Sequence, residues 1–450
     1  MKKSKYNLIW DLDNGKKIAF NGMTAALAEI EDEFLQMLDK AETLDVSKLN
    51  EKEKELLAAM SDGCYINEDD FNELSVLNHT HYKGKYRNDT MNLVVAPTLN
   101  CNFSCFYCYE SPKNVTMSDE TCEAICAVVE KFAAQDKSLY LTWYGGEPLL
   151  AKKIIWSLSE RILSICREKG CNYRGGMVTN GYLFDEETVN KFVEYEISEV
   201  QITLDGPPHV HNARRTLKGE KKESFDKILE NIKLLVGYGI KPVIRVNADK
   251  TNLEDSYLLL DILKENDLCD LIVYLAQVKS QTDTCKSFMG TCLNSEEFSK
   301  ISFLFQQKLK EKGFASNGYT QYPGIRANFC SADNINSFVV DPEGYKYKCW
   351  NEVGDIANAV GNVRDESLVD EKKQISILAK WMAWTPFDFV ECKECKFLPI
   401  CMGGCPLEGI MQNKPTCEKW KYNIEDAIKF TYASLIEVNA PAIEEGCGVE

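Results

Sequence analysis

Residues 100–110 read NCNFSCFYCYE, with thiols at Cys101, Cys105 and Cys108. A structural zinc site or an ordinary cubane takes four protein ligands, and this loop supplies three. The histidines closest in sequence, His79 and His81, stand well upstream, which leaves a zinc knuckle short of a local fourth ligand. A 4Fe-4S cubane on three thiolates keeps one iron without a protein ligand. A small molecule with adjacent amino and carboxylate groups can chelate that iron, and three thiols then suffice.

Around the loop, short apolar stretches at 93–97, 138–142, 173–179, 199–204, 241–246 and 271–278 alternate with amphipathic helical patterns. Six βα units imply an α/β fold with a parallel sheet. The turn-forming runs Gly145-Gly146-Glu147-Pro148, Thr179-Asn180-Gly181 and Thr203-Leu204-Asp205-Gly206 follow the second, third and fourth stretches. All fall at strand carboxyl ends, where barrel enzymes assemble their sites.

Residues 1–90 read as a separate α+β unit. Strands at 6–10 and 16–20 are joined through Asp13-Asn14-Gly15, a tight-hairpin signal, and helices are expected at 24–40, 50–60 and 69–77. Strands followed by helices suggest a winged-helix-like fold. Acidic residues outnumber basic ones there, so peptide recognition is a better expectation than DNA binding. Beyond residue 280 the periodicity weakens and cysteines crowd together, as in a region organised by metal.

The 450 residues suggest several domains, and a net charge of -17 argues against nucleic acid as a partner. Apolar runs are far shorter than the roughly 20 residues that span a bilayer, and the amino terminus lacks a signal-peptide core, so a soluble cytoplasmic protein is expected. Nineteen cysteines against four histidines, in a reducing compartment, point to metal or redox chemistry rather than disulfides.

The CxxxCxxC loop behind a first strand, with Gly145-Gly146-Glu147-Pro148 behind the second, resembles the radical S-adenosylmethionine enzymes. The resemblance implies a partial (β/α)6 barrel over 91–280 and a 4Fe-4S cluster on Cys101, Cys105 and Cys108 whose free iron takes S-adenosyl-L-methionine. It further implies that Tyr107 approaches the adenine and that Gly145, Gly146 and Glu147 hold the amino group. Thr203, Arg215 and Leu275 would contact the remaining parts, with Arg245 a weaker candidate.

After a bridging region at 281–329, residues 330–450 carry Cys330, Cys349, Cys392, Cys395, Cys401, Cys405 and Cys417 at intervals that resemble the SPASM extension of that superfamily. A purely local reading would make Cys392, Cys395, Cys401 and Cys405 one zinc ribbon. The resemblance instead assigns Cys392, Cys395, Cys401 and Cys417 to an outer auxiliary 4Fe-4S cluster and Cys330, Cys349 and Cys405 to an inner one, three clusters in all. The sulfatase maturases of the superfamily place a further cysteine where Asn336 stands, and an acidic catalytic residue where Trp350 stands. Both departures point away from sulfatase maturation. Nine cysteines fall outside the motifs; Cys285 and Cys292 are the candidates for an extra ligand, and Cys122, Cys126 and Cys166 are expected to be buried apolar residues.

Taken whole, the chain resembles maturases of ribosomally made peptides, the sactipeptide and ranthipeptide thioether synthases. The resemblance implies a precursor peptide with a leader as partner, an electron donor such as flavodoxin or ferredoxin, and hydrogen abstraction by a 5'-deoxyadenosyl radical. Thioether formation is the expected outcome, with carbon–carbon crosslinking the nearest rival. A non-catalytic iron–sulfur electron carrier is the distant one, having no need of a barrel mouth.

Overall fold

The computed structural model describes residues 1–110, 113–219, 223–279, 290–315 and 322–439. Its centre is a nine-stranded sheet. Six strands lie parallel and in chain order: Thr90–Val95, Ser138–Trp143, Asn172–Thr179, Ile197–Thr203, Val243–Ala248 and Val273–Gln277. Their helix-facing residues, among them Leu93, Leu141, Met177, Ile202 and Ile244, are buried with the apolar stripes of the intervening helices. Helix Asp119–Phe132 shows the pattern, burying Cys122, Ile125, Cys126, Val129 and Phe132 at three- and four-residue spacing. Cys122, Cys126 and Cys166 thus act as small core residues, as expected.

The sheet does not stop at its first strand. Ser337–Val340 pairs in parallel with Thr90–Val95, and Tyr345–Tyr347 and Gly361–Asn362 follow antiparallel. The thiol-bearing segment that includes Cys330 and Cys349 is therefore hydrogen-bonded to the strand that feeds the Cys101 loop.

Near the amino terminus, Asn7–Asp11, Lys17–Asn21 and Ala26–Ile30 form an antiparallel sheet. The expected helix at 24–40 is corrected: its first half is the strand Ala26–Ile30, and the helix is Asp32–Asp39. Ala25 adopts a left-handed turn, φ 56°, that folds the chain back along Lys17–Asn21. Ala26, Ala28 and Ile30 then face one apolar cluster and Leu27 the other, the alternation of a strand covered on both sides. Helix Glu51–Asp62 opens on a reciprocal Asn50–Glu53 capping box. The last helix begins later than expected, at Glu73–Lys85, because Asn72 caps it by accepting from the Ser75 N–H.

This unit is built into the rest. Ile18 and Phe20 pack on Ile400, Trp420, Ile424 and Ile428, while buried His81 donates through Nδ1 to the Ala327 carbonyl at 3.0 Å.

Candidate functional site

The site grows from the end of the second barrel strand. Gly145 has φ +109°, and a Cβ on it would come within 2.4 Å of the Thr98 carbonyl; a Cβ on Gly146 would come within 2.4 Å of the Asn100 carbonyl. Only glycines let these backbones touch. The Gly146 and Glu147 N–H groups donate to the Thr98 and Asn100 carbonyls at 3.3 and 2.9 Å, directly ahead of Cys101.

Glu147 is wholly buried. Its Oε1 accepts from the Leu149 N–H at 3.0 Å and the Thr179 hydroxyl at 2.8 Å, and its Oε2 from the Asn180 N–H at 2.8 Å. Asn180 in turn donates to Asn102 Oδ1 at 2.7 Å, inside the cysteine loop. One carboxylate thereby ties the second and third strand ends to that loop, and burial raises its pKa.

On the opposite side, the short strand Phe103–Cys105 pairs antiparallel with Arg215–Leu217 and sets Cys105 opposite Arg215. The Tyr107 hydroxyl donates to Asp205 and accepts from Arg215 at 2.7 Å and Asn247 at 3.1 Å. Asp205, buried, also accepts from the Asn247 N–H at 3.1 Å, and Arg214 lies 3.6 Å away. Thr203 and Leu275, both nearly buried, sit on the fourth and sixth strands with Arg245 on the fifth between them, its Nε donating to Asn247 Oδ1 at 2.8 Å. The structure thus brings Tyr107 and Arg215 into one network and places Gly145, Gly146, Glu147, Thr203 and Leu275 around the same mouth.

The thiols share one locus. Burial, then the Glu147 carboxylate, pushes Cys101 up to about 12, and Cys105 and Cys108 oppose its ionisation further. Cys108, although the residue reaches the surface, is pushed up to about 12 by desolvation of its thiol, with Glu110 and Cys105 opposing its ionisation. Such thiols stay neutral unless a metal takes them as thiolates. Among the described residues no three His, Cys, Asp or Glu side chains converge on a single point as a one-ion site needs. A cubane binds each sulfur at a different iron, so three neighbouring thiols suit a cluster rather than a single ion. The Phe103 N–H donates to Cys101 Sγ at 3.4 Å, the kind of bond that tunes a cluster.

The later cysteines divide the same way. Although Cys330 reaches the surface, desolvation of its thiol raises its pKa, and Asp333, Cys349 and Cys405 oppose its ionisation; Cys349 is pushed up to about 12 by burial, with Cys405 again a contributor. Cys392 is pushed up to about 12 by burial and by Cys401, Cys395 and Cys417, and the four line a cavity of about 60 Å³ with Phe397 and Leu398. Gly404, φ +77°, joins the groups: a Cβ there would come 1.7 Å from the Thr416 carbonyl, pressing the Cys405 turn against the approach to Cys417. Lys421 donates to Cys417 Sγ at 3.2 Å.

Asn336 does not turn toward the thiols. Its amide donates to the Arg87 carbonyl at 3.2 Å. Cys292 packs beside Val278, Tyr107 and Tyr109, and Cys285 lies outside the described residues. Trp350 stands edge-on to Tyr144, ring centres 4.7 Å apart, and Tyr144 shares a hydroxyl contact with Tyr109. An aromatic wall therefore joins the Cys349 turn to the glycines at the barrel mouth.

Sequence reading missed Asp205 as the partner of Tyr107, Glu110, one of whose carboxylate oxygens is buried without a partner among the described residues, and the buried Lys85, Lys348 and Asp333 near Cys330. Asp205 alone carried a signal, lying in the run at the fourth strand end.

Residues 95–255 match the Radical SAM superfamily. The Fe-coproporphyrin III synthase of Methanosarcina barkeri is 27% identical over 224 residues, 50% of this chain and 53% of that protein, so the chain spans about half of that relative's length. The cysteine-type anaerobic sulfatase-maturating enzyme of Clostridium novyi is 23% identical over 336 residues, 70% of this chain and 88% of that enzyme. The structure of Streptococcus suis SuiB bound to precursor peptide SuiA shares the fold, with a TM-score of 0.52 at 16% identity over 93% of this chain and 98% of that one.

Proposed function

We propose that this chain is a radical SAM enzyme of the SPASM type and that it matures a ribosomally made precursor peptide by joining a cysteine sulfur to a carbon as a thioether. The observation that carries the reading is the inner thiol set. Among the described residues Cys330, Cys349 and Cys405 make three, and Asn336 is turned away to the Arg87 carbonyl, which in this reading would leave a place for a sulfur from outside the motif.

In this reading Cys101, Cys105 and Cys108 hold the first 4Fe-4S cluster, and Cys392, Cys395, Cys401 and Cys417 hold the outer auxiliary one. Gly145 and Gly146 offer close backbone to the amino end of S-adenosyl-L-methionine, and Thr203, Arg215 and Leu275 line the remainder. Cluster and cofactor, when bound, would supply a carbon radical able to take a hydrogen atom from an unactivated carbon. The chain's own residues do the positioning. Glu147 fixes the glycine turn, the Tyr107–Asp205–Arg215 network locks the loop between its second and third thiols, and the Tyr144–Trp350 contact packs one side of the mouth.

Residues 1–90 would take the leader as an added strand, backbone giving affinity and side-chain pockets selectivity. The enzyme would work in the cytoplasm with a flavodoxin or ferredoxin as donor; among the described residues no helix is long and apolar enough to cross a membrane.

Coexpression with a small cysteine-rich peptide encoded beside it tests the function by mass spectrometry. A loss of two hydrogens per link, with the peptide thiol no longer open to alkylation, is expected. The same mass loss with the thiol still alkylated would favour carbon–carbon crosslinking, and an unchanged mass would contradict both.

A further inference from the structure

Two lysines are buried beside the inner thiols: Lys85, the last residue of helix Glu73–Lys85, and Lys348, which precedes Cys349. Lysine is almost never fully buried unless its charge is met. Lys348 Nζ donates to the Asn334 carbonyl and, at 2.7 Å, to the Ser337 carbonyl. Lys85 Nζ donates to the Trp381 carbonyl at 3.2 Å and to that of Trp384. Asp333, itself fully buried, lies 3.8 Å from Lys85.

The charged groups bearing on Lys348 are Asp333, Cys330 and Lys85. Asp388 also faces Lys85, but it is exposed and screened by water. Glu352, also buried, lies on the Cys349 side. Carbonyl dipoles solvate an ammonium without cancelling its charge, so two buried cations share one buried carboxylate. Surplus positive charge in a low-dielectric interior is costly unless an anion faces it. A cubane on three thiolates is such an anion, and one electron makes it more so.

We propose that Lys348, backed by Lys85, is a fixed cationic seat for the cluster at Cys330, Cys349 and Cys405 and raises that cluster's reduction potential. The inference rests on the inner-cluster assignment of the proposed function. Its physical basis is that a nearby positive charge stabilises the more negative, reduced state, and net charge around a cluster is one of the protein's means of setting its potential. Lys348 is a positioning residue here, acting on the cluster through charge, and half of the seat comes from the amino-terminal unit.

The test is redox titration of the fully loaded enzyme, followed by electron paramagnetic resonance. Cys349→Ala identifies the inner signal as the one it removes; if it removes none, the assignment of the inner cluster fails before the lysines are reached. With that signal identified, Lys348→Met is expected to lower its reduction constant at least tenfold, about 59 mV for one electron. The other two signals should keep their potentials, and Lys348→Arg should stay near the parent. Lys85→Met should give a smaller shift in the same direction, and it decides the matter if Lys348→Met cannot hold the cluster. An unmoved inner potential in whichever of the two methionine variants retains the cluster overturns the proposal.

Discussion

A carboxylate in a closed turn must be met by donors, and Glu147 is met by three, from the backbone of Leu149 and Asn180 and the hydroxyl of Thr179. Glu147→Ala orphans all of them. Unmet buried donors cost about 1–3 kcal/mol each, so a loss of roughly 3 kcal/mol or more in denaturant unfolding is expected. Weaker S-adenosylmethionine binding should accompany it. Unchanged stability would mean that these bonds do not hold the turn. Glu147→Gln should be milder, because the amide keeps an acceptor oxygen. The motif Gly145-Gly146-Glu147 was legible as a barrel-mouth signature, but the duty of its carboxylate was not, since its partners come from another strand. Lys85 and Lys348 were illegible for a related reason: in a sequence, a buried lysine cannot be told from a solvated one.

Among elements, the helix Glu73–Lys85 works as a strut between the amino-terminal sheet and the segment that bears Cys330. His81 sits wholly buried in that joint, and burial lowers its pKa to about 4. The unfolded chain takes up its proton near 6.5, whereas the folded one refuses it until about 4. Stability is therefore intact above about 6.5 and falls as pH drops toward 4, by about 3 kcal/mol if the full difference is realised. His81→Gln should flatten that limb of the stability profile, and a limb of unchanged slope would deny His81 this role. A second element-scale expectation concerns the turn at Gly404. Gly404→Ala drives a Cβ into the Thr416 carbonyl at a left-handed φ, so iron analysis should show loss of auxiliary clusters while Cys101, Cys105 and Cys108 keep theirs. Full iron content in this variant would contradict the packing. The barrel strands were readable because short stretches with apolar residues at alternate positions, such as Leu139, Leu141 and Trp143, recur between helical patterns. Ala26–Ile30 was misread because five residues fit a period of 2 and of 3.6 about equally well, and Ser337–Val340 was too short to signal at all.

Across the whole molecule, the parts are less separable than their sequence patterns suggest. The sheet of the amino-terminal unit buries Ile18 and Phe20 on Trp420 and Ile428, and the sheet of the barrel continues into the strand Ser337–Val340. Deleting residues 1–90 would therefore expose an apolar face and remove Lys85 and His81. Loss of soluble protein or of auxiliary iron is the expected result, and a truncated protein with full stability and full iron would show that the unit is merely appended. Leader recognition is better tested by exposed substitutions on the edge strand Asn7–Asp11, such as Ile9→Lys, read by direct titration with leader peptide.

The central claim is that Cys101, Cys105 and Cys108 together hold the cluster that cleaves S-adenosylmethionine. Its most direct test is 5'-deoxyadenosine formation by the iron-loaded protein under reducing, oxygen-free conditions, compared with Cys101→Ala, Cys105→Ala and Cys108→Ala. The parent should form it and each variant should not; no product from the fully loaded parent, or undiminished product from the variants, would contradict the account.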